Sequence, residues 1–332
     1  MFLSVLIVSS VSFLVAFITT RLLASFMKSI RHVGIDVHKP EKPEIPTSCG
    51  TAIVVGVVVG SIIALHLFPD YKYHIIAFML TVILTLLIGL VDDFIVLKGL
   101  VKAGLSFLSF IPIASLVLLK PEVFTFGRPE VPIIGRLRLT ITYWLLLPLI
   151  IAGPANAVNM LDVLNGVMPL TTAMVTLSLL ISSLILGRKI GIILSIILLL
   201  AILGYLPYNI YPAKVFSGDS GSLSVGAAIG AIALLAKLEI VALVALFPHI
   251  MNAFYVIAFV KGLKEHREFP RPTRVKEDGT IVDSRNPKAP ITLVRLIAGA
   301  EGAKEPDIVK CILILQVVAF ILAILTALLI PR

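Results

Sequence analysis

The chain has 332 residues, 58% hydrophobic and 14% charged, with a mean hydropathy of +1.07. A soluble core of this length does not need that much apolar surface, so the composition excludes an ordinary soluble enzyme and implies a polytopic membrane protein. The formal charge of +9 then reads as basic loops on one side of a bilayer, and no nucleic acid is expected as a partner.

Apolar runs near spanning length, about 20 residues, occur at 3–27, 50–68, 75–91, 103–119, 139–158, 167–186, 190–206, 223–236, 238–260 and 307–330. They predict an all-α protein of ten transmembrane helices in a single domain over 1–332, the eighth helix being short. No basic residue precedes the first run, and Arg21 and Lys28 come late in it or after it, so a retained first span with the N-terminus outside is expected. That topology puts 28–49, 92–102, 159–166, 207–222 and 261–306 inside, with 17 of the 28 Lys and Arg residues there and 9 on the other side. The positive-inside rule supports this orientation. Pro148, Pro154 and Pro248 should bend their helices. Cys49 and Cys311 both fall near the basic side and are expected to be reduced and structural. Within the cytoplasmic loop 261–306, Asp278-Gly279 between β-prone runs is a two-residue hairpin signal, and 121–139 suggests a second hairpin outside.

Four polar segments break the apolar pattern, and this topology puts all of them on the inner face. GLVDDFIVLKGLVK (89–102) ends the third run in Asp92-Asp93, with Lys102 ten residues on. The acid pair could cap the next helix. At membrane depth, however, adjacent like charges need a metal, a cation or a proton. NAVNMLDVLNGV (156–167) places Asn159 and Asp162 three apart, on one face if helical, and Asn165-Gly166 reads as a helix stop. Its amides could pair helices instead. Their density of oxygen acceptors also suits a hard cation such as Mg²⁺.

VFSGDSGSLSVG (215–226) has two glycines that would let backbone approach a ligand around Asp219, although Asp or Ser there could be a plain N-cap. KEHREFPRP (264–272) offers His266 and Arg267, in a loop whose mixed charges also fit a solvated face. Zinc spacing, GxSxG and a Walker loop are all missing. Carboxylates and amides for one metal, with Lys, His and Arg for phosphates, are the equipment of phosphoryl transfer.

In order and spacing these segments resemble the polyprenyl-phosphate N-acetylhexosamine-1-phosphate transferase superfamily, glycosyltransferase family 4. The match runs through PEIPTSCG after the first span, DD with K at 92–102, NxxNxxDxxNG at 156–166, VFSGDSGS at 215–222 and the basic HR segment. The resemblance implies attack of a polyprenyl or dolichyl phosphate on the β-phosphorus of a UDP-N-acetylhexosamine, with UMP leaving. It implies Asn159 and Asp219 as Mg²⁺ ligands (Mn²⁺ being the alternative ion) and Asn165 with Gly166 at the nucleotide or sugar. Lys102, His266 and Arg267 would hold the diphosphate. Asp92 and Asp93 would lie where the lipid phosphate enters, one of them a candidate base, although a phosphate is already an anion near neutral pH. By its spacing from Asn159, Asp162 would share the substrate face, although the eukaryotic enzymes carry a small residue there. The expected place is the cell membrane, with the site on its cytoplasmic face; a homodimer stays open.

KEHREFPRP lacks the histidine run of the bacterial phospho-MurNAc-pentapeptide translocase and is closer to the PRHR of the eukaryotic GlcNAc-1-phosphate transferases, with Glu265 in place of the first arginine. The resemblance is therefore strongest to archaeal and eukaryotic UDP-GlcNAc:dolichyl-phosphate transferases. The translocase-type enzyme is the alternative. A secondary transporter is a third reading, with His249 and Asn252 as its main midspan polar groups.

Overall fold

The computed structural model describes residues 2–124, 126–260, 262 and 269–331; His266 and Arg267 lie outside the described residues. The architecture is helical. Helix α1 (Phe2–Ser29) leads into a small antiparallel pair, β1 (Val33–Ile35) and β2 (Glu44–Pro46), and then α2 (Thr51–Leu67) and α3 (Lys72–Ile95). Helices α4 (Gly99–Phe107) and α5 (Ile111–Leu119) follow, joined by one 3-10 turn. A second pair, β3 (Glu130–Val131) and β4 (Gly135–Arg136), precedes α6 (Thr140–Leu161). Then come α7 (Val167–Ile185), α8 (Lys189–Asn209) and α9 (Gly218–Ala236), followed by α10 (Glu239–Ala245) and α11 (Phe247–Val260). A third pair, β5 (Thr273–Val275) and β6 (Ile281–Asp283), α12 (Leu293–Ala298) and α13 (Glu305–Leu328) complete the order.

The ten expected spans require correction. Among the described residues, eight helical stretches are long and apolar enough to cross a membrane, α4 and α5 counting together. The bent pair α10 and α11 would make nine. Helix α2 has only 17 residues, about 25 Å at the usual rise, because the Gly50 side is packed against α9 and Pro69 ends it. The break between α10 and α11 is 70° and lies beside Pro248, where a missing amide hydrogen weakens the ladder. By contrast α6 runs unbroken through Pro148 and Pro154. Cys49 is buried and Cys311 exposed, and both are free. The β5–β6 connection is one residue longer than the sequence signal, since Lys276 N–H bonds Thr280 O (2.9 Å) and Gly279 closes the turn at φ +78°.

The eighth run is the largest departure. It is not a short helix behind a loop: α9 begins at Gly218, so GDSGS is its first turn, and almost all of the helix is buried. Its sequence of Gly, Ala and Ser permits this, because small residues let neighbouring backbones come close. A Cβ on Gly226 would lie 2.4 Å from Pro154 O and 2.6 Å from Ala155 Cα. A Cβ on Gly230 would lie 2.3 Å from Ile150 O, the carbonyl that Pro154 leaves without its helical donor. Helices α3 and α6 pack on α9 along most of its length.

Gly226→Ala should therefore lower stability by about 1–3 kcal/mol, since backbone must move to admit the methyl. Gly104→Ala, on α4 with open space around it, should raise stability by about 0.5–1 kcal/mol through helix propensity. Melting curves of the two purified variants in one detergent test the contrast; equal shifts would show that α9 is not packed backbone to backbone.

Candidate functional site

The polar motifs lie at helix ends. Helix α3 extends to Ile95, α4 starts at Gly99 and α6 reaches Leu161, so Asp92, Asp93, Lys102 and Asn159 are all helical. Asp162 is the C-cap of α6 (φ −78°, ψ 66°) and has left the helix, which corrects the expectation that it shares a helical face with Asn159. The shared end of the bundle is set by α3 finishing where α9 begins.

At that junction Asp93 accepts the amide hydrogens of Asp219 on Oδ1 (2.7 Å) and Ser220 on Oδ2 (3.1 Å). The first amides of a helix have no partner within it and carry its positive end, so a carboxylate from another helix satisfies both needs. The approach is close because residue 89, one turn earlier on α3, has no side chain. A Cβ on Gly89 would be 2.6 Å from Asp219 O and from Ser220 N. Gly218 is also required here. Its φ is +68°, and a Cβ on it would be 2.7 Å from Asp93 Oδ2 and from Ser48 Cα. On the other flank, Cys49 N–H and Gly50 N–H bond to Phe216 O and Ser217 O at 3.0 Å each, holding PEIPTSCG against the loop before α9.

The Asp219 carboxylate faces outward from this frame. Its Oδ2 accepts Lys102 Nζ at 2.5 Å and its Oδ1 accepts Asn159 Nδ2 at 2.6 Å; the same amide nitrogen reaches Ser222 Oγ at 2.8 Å. Lys102 also pairs with Asp92 Oδ2 at 2.8 Å, and Asp92 Oδ1 accepts the Leu97 amide at 2.6 Å. The side chains of Asp92, Lys102 and Asp219 are 4%, 11% and 28% exposed, so Asp219 is the member a ligand can reach. Asp92 is placed behind the lysine and positions it.

Asp162 stands close by. It is half-buried at its surface yet surrounded by protein, and desolvation pushes its carboxyl up to about 7. The Ser217 side chain bonded to it acts in the opposite direction, and Asp219 and Asp93 raise it further. Asp92 and Asp219 thus share the Lys102 ammonium, while Asp93 and Asp162 lie beside Asp219.

Asn165 belongs to a different cluster. Its Oδ1 accepts Lys39 Nζ (3.1 Å) and the Ala213 amide (3.0 Å), its Nδ2 donates to Asp36 Oδ2 (3.2 Å), and its own amide donates to Glu305 Oε1 (2.8 Å). Lys39 also pairs with Glu305 and with Asp36 (3.1 Å) and sits over the Tyr211 ring. Gly166, at φ +81°, donates its amide to Asn209 Oδ1 (3.2 Å). Asn165 and Gly166 therefore frame the α6–α7 turn and tie it to the start of α13 and to the β1–β2 loop. Asn156 pairs helices, bonding Ser106 Oγ on α4 at 2.8 Å.

Sequence reasoning missed Asp36, Lys39 and Glu305. Glu305 fell among the mixed charges of loop 261–306, and the i, i+3 spacing of Asp36 and Lys39 was the only signal available. It also missed the pairing of His32 Nε2 with Ser48 Oγ (2.8 Å), with the His32 ring stacked on Phe94 beside Asp93.

The sequence pattern of glycosyl transferase family 4 matches residues 75–237, a stretch that contains Asp92, Asp93, Lys102, Asn159, Asp162, Asn165, Gly166 and Asp219. A Saccharolobus solfataricus protein, provisionally named a UDP-N-acetylglucosamine–dolichyl-phosphate N-acetylglucosaminephosphotransferase, is 28% identical over 275 residues, 79% of each chain. The Staphylococcus aureus phospho-N-acetylmuramoyl-pentapeptide-transferase is 32% identical over 230 residues, 65% of this chain and 69% of that protein. With the family pattern carrying its polar residues to one end of a helical membrane bundle, the chain belongs to glycosyl transferase family 4.

Proposed function

We propose that the protein transfers an N-acetylhexosamine 1-phosphate, GlcNAc-1-phosphate foremost, from a UDP-sugar to a polyprenyl or dolichyl phosphate at the cytoplasmic face of the cell membrane. The observation that carries this reading is the Asp92–Lys102–Asp219–Asn159 cluster at the meeting of α3, α4, α6 and α9. In the reaction an oxygen of the lipid phosphate bonds to the β-phosphorus of the UDP-sugar, the bond from that phosphorus to the bridging oxygen breaks, and UMP leaves. A phosphate monoester is nucleophilic without a strong base, so the residues act by positioning and charge neutralisation.

The donor set suits Mg²⁺, with Mn²⁺ as the alternative. Groups of three or more His, Cys, Asp or Glu able to hold a metal do not occur among the described residues. A hard ion that keeps water and substrate oxygens needs few protein ligands. Asp219, with Asn159 if its amide turns Oδ1 inward, would hold it, and the ion would neutralise diphosphate charge. Lys102 stands between Asp92 and Asp219; exchanging Asp219 for a phosphate oxygen would keep its ammonium paired while stabilising charge on the transferred group. Asp92 orients that lysine. Asp93 holds the first turn of α9 so that Asp219 stays aimed outward. Asp162 and the Asn165-Gly166 turn would border the nucleotide-sugar, and His266 and Arg267 would bind the diphosphate.

Similarity to the Staphylococcus aureus enzyme favours a second reading, transfer of phospho-MurNAc-pentapeptide. UMP release measured with UDP-GlcNAc and with UDP-MurNAc-pentapeptide, each with polyprenyl phosphates, separates the two. Release is expected with UDP-GlcNAc, to be abolished by EDTA and restored by Mg²⁺. Release from the pentapeptide nucleotide alone would overturn the GlcNAc assignment.

Asp219→Ala should reduce turnover by about 10³-fold or more, as loss of a central charge-stabilising group does, and leave the melting temperature close to that of the parent. Asp93→Ala should act first on stability. With two helix-start amides left unpaired, it should lose about 1–3 kcal/mol of stability, and Asp93→Asn, which keeps one acceptor oxygen, should recover part of it. Near-normal UMP release by Asp219→Ala would refute the metal assignment. An unchanged melting point in Asp93→Ala would refute the capping role.

A further inference from the structure

At the end of α9 far from Asp219, a second charged cluster borders a cavity. Helix α9 has 19 residues, so about 27 Å separates the two ends. Glu130, on β3 and 4% exposed, takes Arg136 Nη2 on Oε1 at 3.1 Å and Arg188 Nη2 on Oε2. Arg188 precedes α8, and Lys237 lies on the turn between α9 and α10. The cavity beside them has a volume of about 420 Å³ and is lined by Glu130, Arg136, Leu186, Gly187, Arg188 and Pro331, within the size range of ligand pockets.

Glu130 engages one nitrogen of each guanidinium. Arg188 Nε is buried and has no partner among the described residues, and the Arg136 side chain is 54% exposed. Lys237 is held below the ordinary lysine value first by burial and then by Arg136 and Arg188, with Glu130 and Glu239 acting in the opposite direction. Fork-shaped guanidinium donors with spare capacity match the oxygens of a phosphate.

The rim is apolar. Ile133 and Ile134, at the tip of the β3–β4 hairpin, are 79% and 72% exposed, and Ile133 N–H bonds Leu329 O at 2.8 Å. Leu184, Leu328 and Leu329 are exposed as well. A free phosphate would use none of this surface, whereas a lipid could place its headgroup in the cavity and its chains along the rim. We propose that this cavity binds the phosphate of an anionic phospholipid headgroup on the membrane face opposite the Asp219 cluster.

The test is a titration of the purified full chain in detergent with dioleoylphosphatidylglycerol, read by native mass spectrometry and by melting temperature. Dioleoylglycerol and inorganic phosphate serve as parallel arms. Phosphatidylglycerol should bind and raise the melting temperature, while dioleoylglycerol, with the same chains and no phosphate, should not. Arg136→Gln and Arg188→Gln should each weaken phosphatidylglycerol binding about tenfold, the effect of losing one charge-assisted contact. Glu130→Gln, which releases both guanidinium groups, should preserve or tighten it. Binding at parental affinity by Arg136→Gln, whose exposed side chain makes it a safe variant for folding, would overturn the proposal. So would a loss in Glu130→Gln equal to that in the arginine variants, since the cluster would then be only a structural bracket. Inorganic phosphate binding as tightly as the lipid would overturn the lipid assignment.

Discussion

Backbone contact around α9 is the constraint on which the site depends. A helix this deeply enclosed must either hold its neighbours at side-chain distance or present so little bulk that their backbones touch it. Gly50 and Gly221 face each other so closely that a Cβ on either would lie 2.6 Å from the other's Cα. Gly89, Gly226 and Gly230 make the same kind of approach to α9's start, to Pro154 and to Ile150. The result is a rigid seat for one helical turn, and that turn carries Asp219.

Electrostatics then acts within this geometry. Asp93 and Asp219 are both on the α3–α9 junction but have opposite assignments. One carboxylate is fully engaged by helix-start amides, and the other keeps its oxygens on side chains that can be exchanged. Lys102 is shared between a carboxylate 4% exposed and one 28% exposed. A buried charge needs its partner more strongly than a wetter one does, so Asp92 fixes the lysine while Asp219 can turn to a ligand. The Lys39–Glu305–Asp36–Asn165 cluster applies similar chemistry to architecture, joining α13 to the β1–β2 loop and the α6–α7 turn across more than a hundred residues of chain.

The two ends of α9 are built differently. At the Asp219 end, among the described residues, Asp92 and Asp219 share the Lys102 ammonium and Asp93 takes the first amides of α9. At the Lys237 end, arginines gather around Glu130 beside an apolar rim. A helix macrodipole is positive at its start and negative at its end, so each cluster carries charge that complements the helix terminus it surrounds.

The apolar runs located the long helices, because a long apolar segment has few places to go other than a bilayer or a core, but the count of ten spans and the start of α9 were corrected by the structure. The polar residues at their ends were legible too, because each is costly in that setting unless it is paired. What the sequence could not distinguish was which of two adjacent acids caps a helix and which of Asn156, Asn159, Asp162 and Asn165 bonds the Asp219 carboxylate. Asp92 and Asp93 differ by one position, about 100° around a helix, and only the arrival of α9 assigns one to Lys102 and the other to the Asp219 and Ser220 amides. Asn165 likewise looked like Asn159 until Lys39, Asp36 and Glu305 surrounded it. The sequence by itself determined a helical membrane protein with its polar motifs at helix ends, since hydrophobicity and the cost of polar groups are local properties. The role of each polar side chain was decided only by the tertiary structure, because a hydrogen bond depends on which distant backbone the packing brings within 3 Å.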